Sequence, residues 1–162
     1  MTKGEVLVLY RNLNQTGELN GVKFAYAVSR NIDILKREIE SIEKTLELPE
    51  DFKEFETKRI ALAEKYAERD EKGKTLKEKA TNGSEQFVII PANQKKFDKE
   101  FDVLRGEYKE AVALRDKQIE EYTKLLTEES DVVPYKIKLE DVPKEITTRQ
   151  MTGIYDIIDG GA

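Results

Sequence analysis

Apolar positions recur at helical spacing along most of the chain. Val6, Leu9, Tyr10 and Leu13 share one face of a helix predicted over 3–13, opened by Thr2 and Glu5 at the spacing of a capping box. Gly17, Asn20 and Gly21 then mark a turn. Ala25, Val28, Ile32, Leu35, Ile39, Ile42 and Leu46 follow at spacings of 3, 4, 3, 4, 3 and 4. That unbroken heptad stripe predicts a helix over 22–47 with the seam of a left-handed coiled coil. Pro49 ends this helix or opens the next, and Glu50, Asp51 and Glu54 place negative charge where a helix N-terminus favours it. Phe52, Phe55, Leu62 and Tyr66 continue the seam, with Ile60, Ala63 and Ala67 beside it, and predict a helix over 50–69. The short connection predicts that the two helices form an antiparallel hairpin.

The helical period stops at 70–73. Two segments flank Asn82-Gly83, a hairpin-turn dipeptide, and the β-prone run Phe87-Val88-Ile89-Ile90 ends at Pro91, so a β-hairpin is expected over about 74–90. Asn93 is the expected cap of a long helix over 93–127. Its stripe is Phe97, Phe101, Leu104, Tyr108, Val112, Arg115, Ile119, Tyr122 and Leu126. The doubled spacing of four around Tyr108 is a stutter that should locally unwind a supercoil, and Gly106 weakens the helix there by about 1 kcal/mol relative to alanine. Val133, Tyr135, Ile137 and Leu139 alternate like a half-buried strand. Thr147 and Gln150 make a second capping box, stapled by Ile146 and Met151, before a helix over 148–158 that Gly160-Gly161 ends. The expected fold is mainly α, a single domain over 1–162. It is an elongated antiparallel three-helix bundle or coiled coil with a small β-hairpin and a short C-terminal strand-helix.

Composition narrows the chemistry. Of 162 residues 38% are hydrophobic and 38% charged, a balance suited to solvated helices with narrow apolar stripes. The net charge of −5 is spread with both signs interleaved, and no strongly basic patch suited to nucleic-acid phosphates stands out. Cysteine and histidine are both absent, which removes thiolate nucleophiles, cysteine ligands and the commonest general base and metal-binding imidazole. No apolar run is long enough to span a membrane, and the N-terminal segment does not read as a signal peptide, so an intracellular protein is expected.

Candidate chemistry is correspondingly thin. Glu128, Glu129 and Asp131 have the oxygen ligands a hard cation takes, but read as a solvated helix end. Asp70-Glu71-Lys72-Gly73 lacks the remaining acidic positions of a calcium loop, and no glycine-rich phosphate loop is present. Asn82-Gly83-Ser84 has the form of a glycosylation sequon and is read as a turn. Lys72, Lys74, Lys77 and Lys79, with Lys95, Lys96 and Lys99, form the best anion-facing surface, diluted by Glu71, Glu78, Glu85 and Asp98. Phe97, Phe101, Tyr108 and Tyr122 fall on a helical seam and read as core. Arg59 and Arg115 stand at seam positions, where their stems snorkel over the edge or their charges set register. No catalytic residue, metal ligand or cofactor is expected. The β-hairpin must be covered by the 133–139 strand, a second copy or a target protein, which makes Phe87, Val88, Ile89, Lys74 and Lys77 the candidate partner-binding residues.

Four stretches occur in a distinctive order: Gly21-Val22-Lys23-Phe24-Ala25-Tyr26-Ala27-Val28-Ser29-Arg30-Asn31, residues 64–74 (EKYAERDEKGK), Lys96-Phe97-Asp98-Lys99-Glu100-Phe101 and Lys136-Ile137-Lys138-Leu139-Glu140-Asp141-Val142-Pro143. The layout resembles a family of short proteins of tailed bacteriophages and prophages that has no assigned activity, so no functional residues carry over. The resemblance implies a phage product of the host bacterial cytoplasm, possible in the virion, that binds a virion component, a host protein or itself. An accessory or assembly role and inhibition of a host defence system both fit; a carboxylate-bound metal enzyme fits least. The helix–hairpin–helix layout also resembles prefoldin-type chaperones at the level of fold, with Pro49 as a departure.

The seam generates a first prediction. Ile39→Asp buries an unpaired charge and should destabilise the protein by several kcal/mol. A thermal melt at the wild-type temperature would show that 22–46 forms no packed stripe.

Overall fold

The computed structural model describes residues 1–81 and 83–160; Asn82 and Gly161, which figure in the expected turn, sequon and helix stop, lie outside them. The described chain is mainly helical, with a small antiparallel hairpin and a short C-terminal strand, as its periodicity implies. The helices are α1 (Lys3–Asn14), α2 (Val22–Lys44), α3 (Glu50–Tyr66), α4 (Gln94–Glu107), α5 (Lys109–Leu125) and α6 (Thr148–Ile154). The strands are β1 (Lys77–Lys79), β2 (Glu85–Phe87), β3 (Ile137–Lys138) and β4 (Ile158–Asp159). The chain gathers into two compact units, one formed by Met1–Glu47 with Gln118–Ala162 and the other by Leu48–Lys117.

The first unit grows from two local signals that act as expected. The Thr2 hydroxyl accepts the Glu5 amide at 3.2 Å and the Glu5 carboxylate accepts the Thr2 amide at 2.7 Å. Thr147 and Gln150 repeat the arrangement at α6. Each box satisfies amides that a helix start leaves without intrahelical partners. α1 turns Val6, Leu9 and Leu13 into a core shared with Phe24, Val28, Leu35 and Ile39 of α2 and with Ile137, Ile154, Ile157 and Ile158. α6 crosses α1 closely: the Asn12 amide donates to the Gly153 carbonyl at 3.0 Å, and a Cβ on Gly153 would lie 2.8 Å from Asn12 Cγ. This contact explains a glycine inside a helix, where it otherwise weakens the structure.

The buried residues on α2 follow the heptad stripe in part. They are Phe24, Ala27, Val28, Asn31, Leu35, Ile39 and Ile42. From Val28 to Ile42 they keep the heptad average of 3.5 residues per step, with Asn31 buried where the stripe has Ile32. Ala25 is exposed, and Ile32 is half-buried and packs against the core. Asn31 is fully buried, at 0% exposure. Its amide nitrogen donates to the Tyr135 carbonyl at 2.9 Å, while its oxygen accepts the Tyr135 amide at 2.7 Å. One side chain thus satisfies both backbone polar groups of a residue that belongs to no strand. Beyond this clamp the expected 133–139 strand shrinks to Ile137 and Lys138, which pair in parallel with Ile158 and Asp159. The helix expected over 148–158 stops at Ile154, and a 3-10 turn over Tyr155–Ile157 releases the chain into β4.

In the second unit α3 packs against α4 through rings. Phe55 lies 5.6 Å from Phe52, 6.5 Å from Phe101 and 5.9 Å from Tyr108, and Phe97 stacks on Phe101 at 5.8 Å. The aromatics at 97, 101 and 108 make helix-to-helix contacts but are half-buried, so they are not the full core residues their seam spacing implies. The single helix expected over 93–127 is corrected: it breaks at Tyr108, whose φ and ψ are −107° and 23°. The stutter and Gly106 fall beside the break, and the Tyr108 hydroxyl is anchored on α3 by the Lys58 ammonium at 2.6 Å. Asn93 makes no side-chain cap; a 3-10 turn over Pro91–Asn93 leads into α4. Arg59 forms two 2.8 Å hydrogen bonds to Glu56, and Arg115 sits 5.9 Å over the Phe52 ring.

Asn31→Ala leaves the Tyr135 amide and carbonyl without their partner and opens a void in α2. It should lower stability by about 1–3 kcal/mol, measured by urea denaturation. Loss of that size in Asn31→Ala and no loss relative to it in Asn31→Leu would show that volume, not the amide pair, is what matters.

Candidate functional site

The hairpin is held at its base by the chain that leaves α3. Ala67 is extended, with ψ at 144°, and bridges Ile89, while Arg69 bridges Thr75. Three backbone bonds close a ring there. The Val88 amide donates to Leu76 at 3.1 Å, the Leu76 amide to Glu68 at 2.8 Å, and the Glu68 amide to Val88 at 2.7 Å. The Tyr66 carbonyl also accepts the Ile90 amide at 3.2 Å. Cover for the hairpin base therefore comes from residues 66–70. In the 133–139 segment the paired residues, Ile137 and Lys138, join Ile158 and Asp159. At the far end, Gly83 takes a φ of +81°, a conformation glycine adopts without steric penalty.

Three of the five sequence-predicted residues meet in one groove. Phe87, Ile89 and Lys77 line a cavity of about 590 Å³ together with Arg59, Ile60 and Ala63 of α3 and Gln94 and Phe97 at the start of α4. Strand alternation places Phe87 and Ile89 on the same face and Val88 on the other, and Val88 is outside this lining. Lys74 lies in the preceding turn, where Asp70 Oδ1 accepts the Lys72 and Lys74 amides, each at 2.9 Å. Ile60, 47% exposed, and Phe97 belong to the groove, although sequence reasoning placed Ile60 beside the helical seam and Phe97 on it. Ile60, Ala63, Phe87, Ile89 and Phe97 give the groove an apolar part, which shares the lining about equally with polar groups, several of them paired. The Lys77 ammonium sits 5.1 Å over the Phe87 ring and 3.6 Å from Glu85, Gln86 donates to Glu78 at 2.9 Å, and Arg59 is held by Glu56.

Charged groups near the α3–α4 contact are paired in the same way. Glu100 accepts the Lys65 ammonium at 2.8 Å and the Tyr66 hydroxyl at 2.7 Å. These two bonds, Lys65 first, hold its carboxyl below the usual carboxylate range. Tyr108 and then Glu54 raise the Lys58 ammonium above the ordinary lysine range. Among the described residues no group of three or more carboxylates is placed to hold a metal ion. Glu128 is instead engaged by Lys3 at 2.7 Å. The lysines singled out around the hairpin do not converge: Lys77 faces Glu85, while Lys96 and Lys99 line a separate cavity beside Glu100 and Glu107. No helix among the described residues is long and apolar enough to cross a membrane.

No family model, curated protein or solved structure matches the chain.

The Glu100 environment sets a pH dependence. A carboxyl whose folded-state pKa is depressed stabilises the fold above its unfolded value, ordinarily 4.5, and loses that contribution as pH falls through the folded value. Acid titration of stability should therefore be shallower below pH about 4.5 in Glu100→Gln than in the wild type. Parallel titration curves would show that the Lys65 and Tyr66 contacts do not favour the ionised carboxylate.

Proposed function

We propose that the chain is a non-enzymatic phage accessory or assembly protein that works by binding another protein, with the groove under the hairpin as its contact. The observation that supports this most is the cluster of Ile60, Phe87, Ile89 and Phe97 in one groove, beside polar groups of which Lys77, Gln86 and Arg59 are already paired. An exposed apolar cluster of this kind, rimmed by polar residues, suits the side chains of a protein partner. The partner is a virion component or a second copy of the chain, met in the host cytoplasm. The same groove serves the second reading, a phage-encoded inhibitor that blocks a host defence protein by occupying one of its surfaces. Virion association in purified particles distinguishes the first; rescue of phage growth in cells carrying a defence system distinguishes the second.

Phe87→Ser and Ile89→Lys should weaken assembly or target capture at least tenfold while leaving helix content within about a tenth of wild type, since the helices bury their stripes elsewhere. Light scattering and circular dichroism on the same samples check this. Helicity that collapses together with assembly would make the hairpin part of the core and remove the groove as a contact.

A further inference from the structure

The first unit carries a second surface, of different character. Tyr26 of α2 and Tyr135 meet edge to face at 6.3 Å. Arg30, one turn beyond Tyr26, places its guanidinium 4.5 Å over the Tyr135 ring and donates to the Tyr26 hydroxyl at 3.4 Å. Beside the two rings lies an open cavity of about 420 Å³, lined also by Val22, by Lys136 and Lys138, and by the Lys23–Asp141 ion pair. Its walls hold apolar surface that a folded chain ordinarily hides: Val22 is 89% and Tyr26 59% exposed. Asn31 fixes Tyr135 from beneath, so the aromatic wall is preorganised.

Charge identifies the occupant. The chain as a whole is acidic, at −5, yet cations prevail here. Asp141 is matched by Lys23 at 3.1 Å, and Glu140 reaches Lys138 only at 3.8 Å. Among the described residues Arg30 and Lys136 meet no carboxylate; the Lys136 ammonium rests on the Asp156 carbonyl at 2.8 Å. Cations over an aromatic wall, with an apolar cavity at the centre, complement a peptide that carries both carboxylates and a ring. We propose that this face binds an acidic segment of a partner protein, seating one aromatic or large apolar side chain in the cavity and its flanking carboxylates on Arg30, Lys136 and Lys138. Single-stranded nucleic acid, which also uses cations and rings, is the less favoured occupant: the Arg30 guanidinium already covers one face of Tyr135, where a base would stack.

Fluorescence anisotropy tests this with a labelled hexapeptide of alternating glutamate and phenylalanine. The full chain should bind it more tightly than hexaglutamate and more tightly than a lysine–phenylalanine hexapeptide, with affinity falling as salt rises. Lys136→Glu and Lys138→Glu should each weaken binding at least tenfold, and Tyr26→Ser should abolish the preference over hexaglutamate. Phe87→Ser should leave this binding unchanged, which separates it from the groove under the hairpin. Lys138→Glu alters an exposed side chain, so its melting temperature should match wild type even where Lys136→Glu loses stability with its carbonyl contact. No binding of the acidic hexapeptide, equal binding by the Lys138→Glu variant, or tighter binding of a labelled oligothymidylate would each overturn the proposal.

Discussion

The fold of the first unit depends on one buried amide. Residues 131–136 form no strand or helix, so their peptide groups need other partners where the chain meets α2 at Tyr135. Asn31 meets that need at Tyr135, 104 residues further along the chain, by donating to its carbonyl and accepting its amide. Because both bonds come from one planar group, they fix the position of the chain and its direction. Ile137 then enters the core, where it pairs with Ile158 and buries against α1 and α2. The same clamp holds Tyr135 against Tyr26 and Arg30, so a requirement of folding also shapes an exposed aromatic and basic surface.

The second unit solves a different problem, that of a two-stranded hairpin too small to be stable alone. α3 gives up its last expected turn, and Ala67 extends to bridge Ile89. The ring of backbone bonds among Glu68, Leu76 and Val88 locks the base of the hairpin to the helix end. Locking it there sets Phe87 and Ile89 opposite Ile60 and Phe97, and the groove is the space between them. The aromatic contacts of Phe55, Phe97, Phe101 and Tyr108 fix the two helices that form its other walls.

The contrast between α2 and α4 shows why a periodic stripe is informative about a helix and less so about its buried line. The seven residues of the heptad stripe and the buried line share Val28, Leu35, Ile39 and Ile42, so the helix and most of its face were legible. They part at Ala25, Ile32 and Leu46: Leu46 lies beyond the helix end, and the other buried positions belong to Phe24, Ala27 and polar Asn31, the last of which no hydrophobic count selects. Similarly, the stutter and Gly106 marked a weak point, and the chain breaks there at Tyr108, whose hydroxyl accepts from Lys58 on α3.

What the sequence by itself determined are the features whose causes lie within four residues of one another: the capping boxes at Thr2–Glu5 and Thr147–Gln150, the helical faces, and the turn of the hairpin with the strand alternation of Phe87 and Ile89. Hydrogen bonds at i, i+3 and side-chain periodicity are written in short windows and survive any tertiary context that leaves them room. Only the tertiary structure decided where helices stop early, which strand pairs with which, and that Lys77 joins the groove while Lys74 and Val88 do not. Those outcomes turn on which distant partner satisfies a peptide group or covers a ring. Asn31 reads in sequence as one more polar position on a helix; burial against Tyr135 is what gives its amide a use.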